Sequence, residues 1–225
     1  MSNEQHVNIL DCTLRDGGYY NNWHFPQTLV ENYLSSVARA QIDYVELGLR
    51  QFNSGRFLGA HAFTTPQYLA SIDLPKGPEY GVMVDAKTLL KNEEEGSFAL
   101  VEKLFLPASN EKISFVRIAA HVDEVAHCGT AVGALRGLGY KVFLNIMQAS
   151  LRTDKELKNL GKIVSKYDEL SAVYIADSLG SMCDEEVTRV FNALKSGWSG
   201  ELGFHAHDNT AVSYTHLTLP TTTIV

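Results

Sequence analysis

The chain has 225 residues, 45% of them hydrophobic and 20% charged, enough to bury one sizeable core and too few to suggest two full domains. Its formal charge of −7, with no block of lysines or arginines, argues against nucleic acid or a membrane surface as partner and makes a small molecule the default. Three cysteines, Cys12, Cys128 and Cys183, include no Cys-x-x-Cys pair, so neither a disulfide framework nor a zinc knuckle is expected, and a reducing cytoplasm fits. No window approaches the roughly 18 uninterrupted apolar residues of a membrane span, and the first residues lack a basic, apolar leader.

Along the chain, short β-rich runs alternate with helical patterns, the order of parallel strands joined by crossover helices. Val7 to Thr13 reads as the first strand. After a polar loop, Pro26 opens a helix in which Val30, Tyr33, Leu34 and Val37 recur at helical spacing. Tyr44 to Leu47 reads as strand two, Tyr80 to Val84 as strand three and Phe115 to Ala119 as strand four. Asp123 then reads as the cap of a helix carrying Val125, Cys128, Val132 and Leu135 and stopping near Gly139. Lys141 to Ile146 is strand five, and Thr153 with Glu156 forms a capping box for a helix bearing Leu157, Leu160 and Val164. Ala172 to Ala176 is strand six, a helix from about Asp184 to Lys195 follows and ends by Gly197, and Leu202 to His207 is strand seven. Seven strand-then-helix steps predict an α/β fold, a (β/α)8 TIM barrel apparently truncated after strand seven. Residues 1–212 are expected to form the catalytic domain. Residues 213–225 form an atypical tail: Tyr214 to Val225 is Thr-rich, contains Pro220 and has no useful periodicity, so a non-native continuation competes with a native terminus.

Active sites of such barrels lie at the carboxyl ends of the strands. The polar residues expected there are Arg15, Asp16, Glu46, Asp85, Lys87, Arg117, His121, Asn145, Gln148, Asp177, His205, His207 and Asp208. His205 and His207 are the sharpest signal, because side chains two apart on a strand share a face and two imidazoles there can hold one cation. The competing reading is a pair of barrel-lining histidines held by hydrogen bonds. Asp16, beside the tight Gly17-Gly18 turn, supplies a hard oxygen ligand. Two imidazoles and a carboxylate leave coordination positions open for substrate and water without specifying the metal. Arg15 aims a permanently charged fork at the same mouth, and Glu46 on a buried strand calls for a partner such as Arg15 or the metal's water shell.

Three segments, Leu10 to Gly18, Val45 to Gly48 and Gly203 to Asn209, together resemble the DRE-TIM metallolyases. Phe115 to His121 and Ile175 to Gly180 look like the 4-hydroxy-2-oxovalerate aldolase branch of that superfamily. The resemblance runs from about Asn8 to Thr210. It implies Asp16, His205 and His207 as metal ligands, Arg15 as the group that stabilises an enolate, and Glu46 as the acidic member of the signature. The cofactor it implies is a divalent cation, Mn2+ first, with Mg2+, Co2+ or Zn2+ as alternatives. The aldolase pattern places a catalytic histidine shortly after the Arg-Asp-Gly run, where this chain has Tyr19 and Tyr20; Tyr19, Tyr20 and His121 are therefore the candidates for the base. Arg117, Asn145 and Asp177 are the expected substrate contacts. A further asparagine ligand, which the family draws from the eighth-strand region, has no counterpart in the Thr-rich tail.

The expected activity is thus a metal-dependent aldolase that makes or breaks a carbon–carbon bond next to the carbonyl of a 2-oxo acid through a metal-stabilised enolate, with a 2-oxo acid or aldehyde as substrate. Competing readings are a Claisen-type acyltransferase, a Schiff-base aldolase using Lys87, and a non-catalytic barrel fragment. A homo-oligomer and a channelling dehydrogenase partner are further expectations.

Overall fold

The computed structural model describes residues 7–53, 55–90, 96–167 and 170–207. Seven parallel strands follow one another in space in chain order. β1 (Leu10–Asp11) leads into α1 (Thr13–Asp16), α2 (Gly18–Asn21) and α3 (Gln27–Arg39) before β2 (Tyr44–Leu49). α4 (Pro66–Ser71) precedes β3 (Glu79–Asp85), and α5 (Ala86–Leu90) and α6 (Gly96–Leu104) precede β4 (Phe115–His121). Next come α7 (Val122–Val125), α8 (Gly129–Gly137), β5 (Lys141–Met147), α9 (Asp154–Val164), β6 (Ala172–Ala176), α10 (Asp184–Lys195) and β7 (Leu202–His205).

Alternation along each strand sorts the side chains into two sets. One set, including Val45, Leu47, Val82, Val84, Val116, Ile118, Val142, Leu144, Val173 and Ile175, meets Val30, Leu34, Val132, Leu135, Leu157, Leu160, Val190 and Leu194 of the helices in one continuous core. The other set faces inward. Phe115, Phe143 and Ala172, with Leu10, Tyr44 and Tyr174 packed against them, fill its amino end. The Tyr44 and Phe143 rings, from β2 and β5, lie 5.5 Å apart. Arg117 on β4 reaches Glu46 on β2, and Arg15 after β1 reaches His205 on β7. A flat sheet would not bring strands so far apart in order into contact, so the sheet is curled: seven strands of a (β/α)8 barrel with a packed interior.

The element assignments from sequence need three corrections. β1 is only Leu10–Asp11, and Thr13 to Asp16 is a helical turn. Its start is favoured by the Asp11 carboxylate, which accepts from the Thr13 amide at 2.9 Å, and by the Cys12 carbonyl, which accepts from the Arg15 and Asp16 amides at 3.0 and 2.8 Å. The expected single helix after β4 is split into α7 and α8, and His121 rather than Asp123 is its N-cap, with Glu124 reaching back to the His121 amide at 2.8 Å. β7 ends at His205, so His207 lies just past the strand. The capping box on α9 is as expected, with the Glu156 carboxylate accepting from the Thr153 amide at 2.8 Å. The expected tail and Asp208 lie outside the described residues. No helix among the described residues is long and apolar enough to cross a membrane.

Candidate metal and enolate site

The site begins at the turn after β1. Because Cys12 to Asp16 forms one helical turn, positions 12 and 16 stand one above the other, and the Cys12 thiol donates to Asp16 Oδ2 at 3.2 Å. The turn is held by Trp23, whose indole N–H donates to the Arg15 carbonyl at 3.0 Å. A Cβ on Gly18 would stand 2.0 Å from the Trp23 ring and one on Gly59 1.7 Å from the Trp23 carbonyl, so both positions require glycine. Gly17, by contrast, has an ordinary right-handed helical backbone. Gly18 therefore makes room for an indole, and the tight turn expected at Gly17-Gly18 is a right-handed helical one.

Below the mouth lies a buried ion cluster. Arg15 Nε donates to Glu46 Oε2 at 2.8 Å, and Arg117 donates through Nε to Oε1 and through Nη2 to Oε2, both at 2.9 Å. All three residues are buried. Burial opposes the charge on Glu46, but the guanidiniums of Arg117 and Arg15 outweigh it and hold the carboxyl below the usual range. Burial likewise opposes the charge on Arg15, while Glu46 and Asp16 carry it above the ordinary arginine value, so the fork is permanently cationic. Arg15 Nη1 also donates to Asp16 Oδ1, and Nη2 stands 3.4 Å from His205 Nε2. The pairing of Glu46 with Arg15 expected from sequence is present; the second partner, Arg117, was not foreseen.

His205 closes the ring of groups from the other edge of the sheet. Its Nε2 is 3.5 Å from Asp16 Oδ2 and 3.0 Å from His207 Nε2. That 3.0 Å is the length of a hydrogen bond between the two imidazoles, and equally the separation of two nitrogens each about 2.1 Å from one cation and at right angles. Burial, and then the nearby positive charges of Arg117, Arg15 and His207, push the His205 pKa down to about 2, leaving the imidazole neutral as a ligand must be. Among the described residues, the three groups that converge within 4.8 Å are Cys12, Asp16 and His205. Cys12 is the member that sequence reading missed. Taken as strand, position 12 would face away from 13 and 15; taken as a helical turn, its i,i+4 spacing to Asp16 gives it away. Burial, and then the charge of Glu46, push the Cys12 thiol up to about 12.

The remaining expected residues divide. Tyr19 packs edge-on against Trp23 and shares a hydrogen bond with Arg15. Burial of the hydroxyl outweighs Arg15 and raises its pKa, which favours a phenol that donates a proton over a phenolate base. Tyr20 is 95% exposed. His121 is the half-buried N-cap of α7. Arg117 Nη1 and Asn145 Oδ1 are buried and have no hydrogen-bond partner among the described residues, so the interior offers one donor and one acceptor to an incoming polar group. Asp177 is buried with both oxygens engaged, Oδ1 accepting from the Ser181 amide and Oδ2 from the Met182 amide at 3.1 Å each. It organises the loop after β6. Lys87 is exposed on α5, away from the desolvated surroundings a Schiff-base lysine needs.

No family model matches the chain. It is 27% identical over 222 residues to the 4-hydroxy-2-oxovalerate aldolase of Bacillus cereus, covering 94% of this chain and 60% of that protein. The enzyme of the same name from Spirochaeta aurantia is 29% identical over 213 residues, covering 92% and 59%. An oxaloacetate decarboxylase of Mycobacterium tuberculosis is 26% identical over 208 residues, covering 91% and 58%. The fold matches the solved N-terminal domain of a protein from Bacteroides vulgatus, itself described as a candidate aldolase, with a TM-score of 0.79 and 28% identity over 91% of this chain and 65% of that one. In sequence and fold the chain is similar to proteins named as 4-hydroxy-2-oxovalerate aldolases and an oxaloacetate decarboxylase. The carboxyl transferase domain of Rhizobium etli pyruvate carboxylase, at 14% identity and a TM-score of 0.67 over 96% of this chain and 38% of that one, shares the fold. The chain spans about three fifths of the length of the curated relatives it matches.

Proposed function

We propose that the protein is a divalent-metal-dependent aldolase acting on 4-hydroxy-2-oxo acids, with Asp16, His205 and His207 as the protein ligands of the cation. The observation that carries this reading is the place of His205 Nε2, 3.5 Å from Asp16 Oδ2, 3.0 Å from His207 Nε2 and 3.4 Å from Arg15 Nη2. A bound cation would supply Lewis-acid polarisation of the 2-oxo group. Arg15, charged and held rigid by Glu46, donates to the oxygen on which negative charge grows as the bond breaks. A base removes the proton of the 4-hydroxyl, the bond between carbons 3 and 4 breaks, an aldehyde leaves, and the electron pair passes into the enolate of the remaining 2-oxo acid. Protonation at carbon 3 completes the reaction, and Tyr19, whose hydroxyl is biased towards the neutral form and hydrogen-bonds with Arg15, is the proposed donor. The unpartnered Asn145 Oδ1 and Arg117 Nη1 are the polar contacts available to substrate in the interior. Mn2+ is the proposed metal.

The oxaloacetate decarboxylase relative favours a second reading, loss of carbon dioxide from a 2-oxo diacid through the same enolate. The Mn2+-loaded protein, offered 4-hydroxy-2-oxovalerate and oxaloacetate in turn, separates them. Pyruvate with an equal amount of acetaldehyde supports the aldolase. Pyruvate from oxaloacetate alone supports the decarboxylase. Release no faster than from Arg15→Ala protein, with either substrate, rejects both.

A further inference from the structure

We propose that Cys12 is a positioning residue of the cation site, a thiol bridge that donates its S–H to Asp16 and accepts the Nδ1–H of His205, so that His205 presents an unprotonated Nε2 to the ion. Its consequence for metal binding rests on the proposed ligand set; the hydrogen-bond chain itself does not.

The argument is a count of protons. Cys12 Sγ lies 3.2 Å from Asp16 Oδ2, a carboxylate oxygen that can only accept, so the single thiol proton points there. The same sulfur stands 3.9 Å from His205 Nδ1, within reach for a sulfur hydrogen bond. With its proton already committed, the sulfur can offer Nδ1 only a lone pair, and Nδ1 must carry the hydrogen. A neutral imidazole has one N–H, so Nε2 is then the bare nitrogen. That nitrogen faces Asp16 Oδ2 at 3.5 Å, His207 Nε2 at 3.0 Å and, at 3.4 Å, Arg15 Nη2, a donor that a bare Nε2 can accept. A metal-binding histidine commonly gives its second N–H to a carboxylate or carbonyl, and that bond sets which nitrogen takes the metal. In this chain a sulfur occupies that place. It is also tied to a second proposed ligand, so one side chain aligns the carboxylate from the β1 end of the sheet with the imidazole from the β7 end.

A positioning role differs from two alternatives: a sulfur that binds the metal directly, and a cysteine that merely fills space. The test uses the whole chain and its Cys12→Ser and Cys12→Ala variants. Imidazole nitrogen NMR of metal-free protein should find the His205 proton on Nδ1 in the parent and in Cys12→Ser, and moved wholly or partly to Nε2 in Cys12→Ala. Titration with Mn2+ followed by calorimetry should show affinity about 10- to 100-fold weaker in Cys12→Ala, with most of it restored by serine. The spectrum of the Co2+-loaded parent should lack a sulfur-to-cobalt charge-transfer band. Retention of Nδ1–H in Cys12→Ala, or a charge-transfer band that vanishes in Cys12→Ser, overturns the proposal. Should the parent show the expected tautomer yet bind no Mn2+, the bridge stands and the cation site is what fails.

Discussion

Glu46 carries more of the site's architecture than its single carboxylate suggests. It is fully buried between two buried guanidiniums, so removing it strips Arg117 of its carboxylate and leaves Arg15 with the part-exposed Asp16 alone, a situation that costs about 3–5 kcal/mol when one member of a buried pair is lost. Glu46→Ala should therefore lower unfolding free energy by that order in urea melts, and Glu46→Gln, which keeps the shape, by less. Equal stability of all three proteins would show that the cluster is solvated. His205 gives a pH signature. Its folded-state pKa lies far below that of an unfolded histidine, so the unfolded chain takes up the proton first. Stability from this group is complete above about pH 6.5 and falls by up to about 1.4 kcal/mol per pH unit as the medium is acidified. The same melts repeated on His205→Asn should lose that slope between about pH 6 and 4; an unchanged slope would assign the acid sensitivity elsewhere. At this scale Arg15, Asp16 and Glu46 were legible as charged residues at strand ends, and His205 and His207 through their spacing of two on one strand. Cys12 was not legible, because its role depends on where one strand stops, a boundary set by the Asp11 carboxylate capping the Thr13 amide.

Strands two to seven, and the helices α3, α8, α9 and α10, could be read because apolar residues recur in them with a period that burial enforces, whereas α4, α5 and α6 were not read. β1 could not: with two paired residues, Leu10↔Tyr44 and Asp11↔Val45, it is too short to display a period. Element packing also depends on glycines whose reason appears only in three dimensions. α9 and the end of α10 approach so closely that a Cβ on Gly197 would lie 2.3 Å from the Lys158 carbonyl oxygen and one on Gly161 2.5 Å from that of Leu194. These neighbours are backbone and cannot swing away, so Gly197→Ala should cost about 1–3 kcal/mol by overpacking. Gly133 sits in α8 with nothing within 4 Å of its would-be Cβ. There Gly133→Ala should raise stability by about 0.5–1 kcal/mol through helix propensity alone. Differential scanning calorimetry of the two variants reads opposite shifts in melting temperature, and shifts of the same sign would show that close helix approach is not what selects Gly197.

For the whole molecule, the feature that decides behaviour is the relation between the two ends of the sheet. β1 and β7 have no hydrogen-bonded partner on their outer edges among the described residues, and what joins them there is polar: Cys12, Arg15 and Asp16 on one side, His205 on the other. A cation held by Asp16, His205 and His207 would tie these edges together and would bind the folded chain alone, since the unfolded chain does not assemble the three ligands. Mass action then stabilises the fold by about 2.7 kcal/mol at a free metal concentration 100 times the dissociation constant. For a chain of this size that is a rise of about 5–10 °C in melting temperature. Mn2+ should produce it, a chelator should reverse it, and Asp16→Ala and His207→Ala should each abolish it, whereas Arg15→Ala should retain most of the increment because it keeps the ligands while slowing turnover. If Mn2+ shifts the melting temperature of Asp16→Ala as much as that of the parent, the ion is bound elsewhere and the two edges of the sheet are held by their hydrogen bonds alone.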